Sequence, residues 1–533
     1  MNLNNVFLFL VLCIGFTACK PKQKVDPKPD TGRSDLSRDS IYLYAKEIYL
    51  WSDALPTYDA FNPRKYTTAS SDLLNYEKEL IALTQFKINP ATGLPYEYFA
   101  SGTDSKYSYI IDKADENPIA FVPTERSSVD LEGNGDDFGV KLGAYGQGGT
   151  TFALFVTAVF QNSPADKAGI IRSDRIYKVN GRAIGDNSDV DLPIINAAFF
   201  NGTAPITIEG VHYANGSAGA PFTIQLNKAV YKSTPVLAKK IFTVGAKKVG
   251  YLNFARFSNL PSNAKADLDA AFVAFDAGNV TDLIIDLRYN GGGYVNTAQY
   301  LINQIAPAST SGKVMFSEHY NPLMQAGSAN ILGNQPYTDG TGKIVYENGR
   351  MLTLKDVDYS IVGNTERFLK SGPLNTANTI TKVVFIVSGN TASASELVIN
   401  SLKPYMTVKL VGSKTYGKPV GFFPITIENK YKVFYSLFQT KNSLGQGDYF
   451  DGMTPDIVDN FDDPRNNFGD PNEHYTAIAI NEIEPNGVVT NSISKTMAIQ
   501  GKNISVESLK PMKSLAGGNE FIGMIENRAK LKR

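Results

Sequence analysis

Ser393, in Asn390-Thr391-Ala392-Ser393-Ala394-Ser395-Glu396, and Lys418, in Thr415-Tyr416-Gly417-Lys418-Pro419, are the residues of this 533-residue chain whose types and spacing suit nucleophilic chemistry. A serine hydroxyl attacks a carbonyl only when a base takes its proton. Histidine is the usual base, but none of the three here, His212, His319 and His474, stands beside a serine in a nucleophile-elbow sequence. Lysine can serve if it is neutral, which requires its pKa, ordinarily about 10.4, to fall by several units through burial. The context of Lys418 suits this: it precedes the apolar run Val420-Gly421-Phe422-Phe423, and the nearest acid along the chain is Glu428.

Such a pair needs elements that hold it. The apolar run Lys382-Val383-Val384-Phe385-Ile386-Val387 predicts a buried strand leading to Ser393, and a helix begins near Ala394. A helix start points free amides and the positive dipole end at the place where an oxyanion forms, which makes the Ala394 N–H the first expected oxyanion donor. The second is expected from Asp286-Leu287-Arg288-Tyr289-Asn290-Gly291-Gly292-Gly293, with Gly293 favoured and Gly292 next. Residues without side chains let a carbonyl approach backbone amides closely. Plainer readings exist. Ser393-Ala394-Ser395-Glu396 is also a capping box, and the three glycines alone could be a tight turn. Gly412-x-x-x-x-Gly417-Lys418 nearly matches a phosphate-binding loop, but Pro419 replaces the serine or threonine that would hold magnesium.

The wider pattern is α/β and multidomain. A helical unit is expected over residues 35–115, where Ile41, Tyr44, Ala45, Ile48 and Trp51 recur at helical steps with Ser37 or Asp39 as N-cap. Short alternating apolar segments over 136–230 predict a β-rich domain. From 231 to 460 apolar strands alternate with helical stretches, including a helix over Ser262–Ala277 and strands at Leu283–Leu287, Val408–Val411 and Val420–Ile427. Buried parallel strands read this way. Residues 461–533 form a polar C-terminal extension.

Several of these stretches resemble one family. Strand-Asp-Leu-Arg-x-Asn-Gly-Gly-Gly, Thr-Ala-Ser-Ala-Ser-Glu, Thr-Tyr-Gly-Lys and Gly452-Met453-Thr454-Pro455-Asp456 look like the C-terminal processing, or tail-specific, serine peptidases. The resemblance implies a ClpP/crotonase-like catalytic core with Ser393 and Lys418 as a dyad. Ser163-Pro164-Ala165-Asp166-Lys167-Ala168-Gly169 and Asp174-Arg175-Ile176-Tyr177-Lys178-Val179-Asn180-Gly181 resemble a PDZ domain. That implies capture of an extended peptide on a sheet edge, with Phe138-Gly139-Val140 as the loop that holds its carboxylate. Two positions depart from the peptidase pattern. Phe422 stands where many relatives have the glutamine that orients the lysine, and Pro419 replaces the usual glycine.

Val6–Phe16 is a short apolar run followed by Thr17-Ala18-Cys19, which resembles a bacterial lipoprotein signal over residues 1–19 with Cys19 as the lipidated residue. The run is shorter than the roughly 20 residues a membrane span needs. Residues 20–34, with three prolines, read as a tether. Cys13 and Cys19 are the only cysteines, so no disulfide is expected in the mature chain. Lysine plus arginine and aspartate plus glutamate both number 52, which argues against nucleic acid as a partner. The expectation is a lipid-anchored envelope serine endopeptidase, on the periplasmic face of the outer membrane. It would act on protein tails, need no metal or cofactor, and touch the membrane only through its anchor. The alternative is a catalytically weak PDZ-containing envelope protein that binds peptides or another ligand.

Overall fold

The computed structural model describes residues 32–485, apart from 101, 103, 115–128, 147–148, 215–216, 340–341, 371–379 and 381, together with 487, 510–511, 515, 522–526 and 530–532. The expected signal segment, the lipidation site Cys19 and most of the tether lie outside these residues. The protein is a mixed α/β molecule built from several packed units. Among the described residues no helix is long and apolar enough to cross a membrane.

The first helix spans Arg33–Ile48, with Gly32 rather than Ser37 or Asp39 at its N-cap. Both of those side chains find partners from within the helix. Ser37 Oγ donates to the Arg33 carbonyl at 3.2 Å, and the Asp39 carboxylate pairs with Arg64 at 2.6 Å and accepts from the Tyr58 hydroxyl at 2.5 Å. Ile41, Tyr44, Ala45 and Ile48 are buried in the cluster that also holds Tyr431 and Tyr435. The strand Tyr109–Asp112 completes the junction, running antiparallel to Tyr431–Phe434.

Residues 140–226 form the second unit. Its strands Val140–Gly146, Phe152–Val159, Arg175–Val179, Ile206–Ala214 and Ser217–Leu226 lie side by side in that order, all antiparallel. Ser163 caps the short helix Pro164–Lys167, and the helix Ser188–Asn196 covers the core. The backbone of Lys510–Pro511 adds one more strand to the outer edge, antiparallel to Tyr145 and Gly146. The side chain of Leu515 is buried in the same core as Phe138, Val140, Leu192 and Ile195.

The third unit is a six-stranded sheet in the order Val236–Val244, Lys247–Phe254, Asp282–Asp286, Lys382–Val387, Thr407–Gly412, Ile457–Val458. The first pair is antiparallel and the rest are parallel. Their continuous apolar sequences fit strands covered on both faces. The helices Lys265–Ala277, Val295–Ile305 and Ala394–Leu402 pack in the main core, and His474–Ile483 packs in the core on the other side. Two local expectations change. The Ser262–Ala277 helix begins with a wider turn over Leu260–Ala264. The stretch Val420–Ile427 is two short strands in different sheets, Val420–Gly421 and Ile425–Ile427. Pro424 lies at the break and has no N–H to continue a ladder.

Arg288 braces the start of the glycine loop. Fully buried, it pairs with Asp286 at 2.8 Å, Glu473 at 2.7 Å and Asp462 at 2.7 Å, so the loop is tied to the helix His474–Ile483 and the segment before it. Replacing it strands two fully buried carboxylates. Arg288→Met is expected to lower stability in urea unfolding by about 3–5 kcal/mol.

Candidate active site

The adjacent parallel strands Asp282–Asp286 and Lys382–Val387 end on the same side of the sheet, and their outgoing loops meet there. Ligands in open α/β sheets bind outside these carboxyl ends. The second loop carries Ser393, held at φ 60° and ψ −109° immediately before the helix Ala394–Leu402. A non-glycine residue in this region is strained, and such strain persists only where its surroundings enforce it. Here it aims a serine out of a sharp strand-to-helix turn. Ser393 Oγ is buried and has no hydrogen-bond partner.

Only one half of the expected capping box is made by hydrogen bonding: the Glu396 carboxylate accepts from the Ser393 N–H at 2.8 Å, while the Ser393 hydroxyl is left unengaged. The same carboxylate does more. It accepts from the Thr415 hydroxyl at 2.5 Å, the Gly417 N–H at 2.8 Å and the Lys418 N–H at 2.8 Å. One of its oxygens takes both the Ser393 and the Lys418 amides, so the two backbones lie two hydrogen bonds apart. Burial raises the Glu396 pKa, and the four donors oppose that rise.

Lys418 is buried, and burial pushes its pKa down to about 7 against the pull of the Glu97 and Glu396 charges, while Lys106 adds to the depression. Its Nζ donates to the Ile522 carbonyl at 3.2 Å and the Tyr107 carbonyl at 3.4 Å, and stands 4.6 Å from the centre of the Phe422 ring. The departure at Phe422 therefore replaces an amide with an aromatic face, and two carbonyls orient the amine. Tyr107 belongs to the N-terminal unit, which is thus more than scaffold. Its hydroxyl also donates to the Gly417 carbonyl at 2.6 Å. The turn carrying Tyr107 is itself held by the buried Glu97 carboxylate, which accepts from the Ser108 N–H and hydroxyl, both at 2.8 Å.

The glycine loop lies alongside. Asn290 donates to the Phe254 carbonyl at 2.8 Å and accepts the Gly292 N–H at 2.9 Å. That amide is committed to the loop, so of the two expected donors Gly293 is the one not tied to the Asn290 side chain. Gly293 has φ +134°, and a Cβ there would fall 2.2 Å from the Phe257 carbonyl oxygen. The Asn290 carbonyl also accepts from Ala392 N–H at 3.2 Å and the Ser395 hydroxyl at 2.9 Å, locking the two loops together. Ala394, at the first helical position, has no intrahelical acceptor for its N–H.

The structure does not bring Phe138-Gly139-Val140 into this site, and it occupies the loop's polar groups internally. The Gly139 N–H donates to Asp137 at 2.8 Å, its carbonyl accepts from Phe160, and the Phe138 carbonyl accepts from Ala165. The Phe138 side chain is buried in the second unit's core. Of the contributors that sequence reading missed, Glu396 had a visible signal in its capping-box position. Tyr107 and Ile522 had none, because they reach Lys418 through backbone carbonyls.

A strained serine at a helix start, an amide-rich loop beside it and a buried, depressed lysine are the parts that acyl transfer through a serine needs. Residues 248–459 match the model of peptidase family S41. It is 25% identical over 328 residues to the chloroplastic C-terminal processing peptidase of Tetradesmus obliquus, covering 60% of this chain and 59% of that one. It is also 25% identical over 307 residues to a CtpA-like serine protease of Staphylococcus aureus (strain COL), covering 57% and 50%. The match thus spans half to three-fifths of these relatives' lengths. A crystal structure of an S41 protein from Bacteroides fragilis shares the fold, with a TM-score of 0.53 at 20% identity over 86% of this chain and 98% of that one.

Glu396→Gln would set an amide nitrogen against N–H donors. It is expected to cost about 2–4 kcal/mol of stability in urea unfolding. Displacing the nucleophile from the lysine should also slow covalent labelling of Ser393 by a fluorophosphonate roughly 10²-fold.

Proposed function

We propose that the protein is a serine endopeptidase that cleaves extended or C-terminal segments of proteins through a Ser393–Lys418 dyad. The observation that carries this reading is a fully buried lysine with its pKa depressed to about 7, fixed beside a strained serine by the shared Glu396 carboxylate. A base poised near ambient pH takes a proton most usefully. Ser393 Oγ attacks the substrate carbonyl and passes its proton to neutral Lys418. The tetrahedral oxyanion is held by the Ala394 and Gly293 amides. Lys418 then protonates the leaving amine, and water repeats the sequence on the acyl-enzyme.

By resemblance, the β-rich unit acts as a PDZ-like module that presents chain ends to the dyad, and Cys19 carries a lipid that holds the protein at the bacterial cell envelope, on the periplasmic face of the outer membrane. The names of the relatives, a C-terminal processing peptidase and a CtpA-like serine protease, support the substrate class. A second reading, peptide binding with weak catalysis, has one observation in its favour. The Phe422 ring beside Lys418 Nζ stabilises an ammonium and so opposes the base. Such contacts are worth about 0.5–2 kcal/mol, less than the desolvation that brings the lysine down to about 7.

The test is hydrolysis of an unstructured protein with a free apolar C-terminus, followed by mass spectrometry. Ser393→Ala and Lys418→Ala are each expected to lose roughly 10³-fold or more in kcat/KM while staying folded. Peptide binding without hydrolysis by the unmodified chain would support the second reading instead.

The rate should also depend on pH with a definite sign. Lys418 must be neutral, so kcat/KM is expected to rise tenfold per pH unit below about 7 and level off above it. Stability follows the same group. Its folded pKa lies below its unfolded one, so the folded state binds fewer protons between about 7 and 10.5, and stability rises with pH across that window. Lys418→Met should remove this slope, as measured by urea midpoints at several pH values.

A further inference from the structure

The groove at Ser393 is already filled by the chain's own C-terminal segment. Gly523–Ile525 runs parallel to Gly292–Tyr294, in the register Gly292 to Gly523, Gly293 to Met524 and Tyr294 to Ile525. The Gly523 N–H donates to the Gly291 carbonyl at 3.0 Å. A parallel ladder in this register returns the Gly523 carbonyl to the Gly293 N–H, the amide assigned above to the oxyanion. On the opposite edge the Phe422 N–H donates to the Met524 carbonyl, and the Glu526 N–H donates to the Phe422 carbonyl, both at 3.0 Å. Ile522, on the other side of Gly523, gives its carbonyl to Lys418 Nζ.

The backbone around the Gly523–Met524 bond is therefore held on both edges and on both sides of the bond. The nucleophile is close. A Cβ placed on Gly292 would lie 2.3 Å from the Gly523 carbonyl oxygen and 3.1 Å from Ser393 Cβ, so only a glycine at 292 lets that carbonyl in beside the serine. Met524 and Ser393 are both 0% exposed. Upstream, Lys510–Pro511 adds a strand to the edge of the β-rich unit and Leu515 enters its core, which is how an extended peptide ligand engages a sheet edge.

We propose that this tail is the enzyme's own first substrate, and that Ser393 cleaves the Gly523–Met524 bond and releases Met524–Arg533. The inference rests on the peptidase reading and adds a substrate class to it: an extended strand with a side-chain-free residue at the attacked carbonyl and a buried apolar residue next. Ser393 Oγ bonds to the Gly523 carbonyl carbon and its proton goes to Lys418 Nζ. The carbon–nitrogen bond to Met524 breaks, and Lys418 returns the proton to the Met524 nitrogen. Water then hydrolyses the ester, leaving a Gly523 carboxylate and free Ser393.

The experiment is a time course of intact mass on the purified full chain, with hydrolysis of an added unstructured protein measured in parallel. The unmodified chain should convert to a form ending at Gly523, at a rate unchanged over a tenfold range of protein concentration. Ser393→Ala and Lys418→Ala should keep Arg533. Met524→Asp places a charge in the buried position and frees the groove. It should lose cleavage at Gly523 and hydrolyse the added protein at least as fast as the unmodified chain. Hydrolysis of the added protein with the C-terminus intact, a cut elsewhere in the tail, or a concentration-dependent rate would overturn the inference and leave the peptidase reading standing. Loss of neither tail nor added protein would overturn both.

Discussion

The Glu396 carboxylate is the interaction on which the site depends. One group, buried on the first turn of the Ala394–Leu402 helix, gathers the amide of the serine turn, two amides of the lysine turn and the Thr415 hydroxyl. Taking a carboxylate out of water costs several kcal/mol unless donors replace its hydration. Four donors do so here, and each is thereby fixed. The strained backbone at Ser393 and the position of Lys418 share one cause.

The lysine's depressed pKa has a different origin. It comes from enclosure, and the walls of that enclosure are drawn from three distant parts of the chain. Tyr107 comes from the N-terminal unit, Phe422 follows the short strand Val420–Gly421, and Ile522 comes from the C-terminal extension. Each touches the amine through a carbonyl dipole or a ring face rather than a full charge. Neutral acceptors orient an amine without forcing it to stay protonated, whereas a carboxylate in direct contact would raise its pKa. The nearest charges, Glu97 and Glu396, instead spend their oxygens on backbone amides and hydroxyls.

Much of this was legible in the sequence, for physical reasons. The strands before Ser393 and before the glycine loop are uninterrupted apolar runs, and such runs leave few alternatives to a buried parallel sheet. The serine, the lysine and the glycines carry their chemistry in their residue types. What escaped was whatever acts through the main chain. A carbonyl at Tyr107 or Ile522 has no residue signature, and a tail of short apolar pieces gives no period to read. Ser37 and Asp39 fit a helix start by type, yet they lie inside the helix, where Ser37 donates to Glu428 and Asp39 pairs with Arg64 from outside it. Phe138-Gly139-Val140 was expected to hold a carboxylate with its amides, and of these the Gly139 N–H is taken by the Asp137 side chain two residues before it.

The strand at Gly523–Ile525 has one further consequence. It is bonded along both of its edges, to Gly291 and the strand after it on one side and to Phe422 on the other. A segment accepted there must have surrendered its hydrogen bonds within its own fold, since a strand in a sheet or a turn of helix has no edge left to offer. Selection in such a groove acts on the free energy of local unfolding in the client protein as much as on its side chains. On the proposed peptidase reading, frayed ends and damaged regions that open readily would enter, while a sound interior of the same sequence would be passed over.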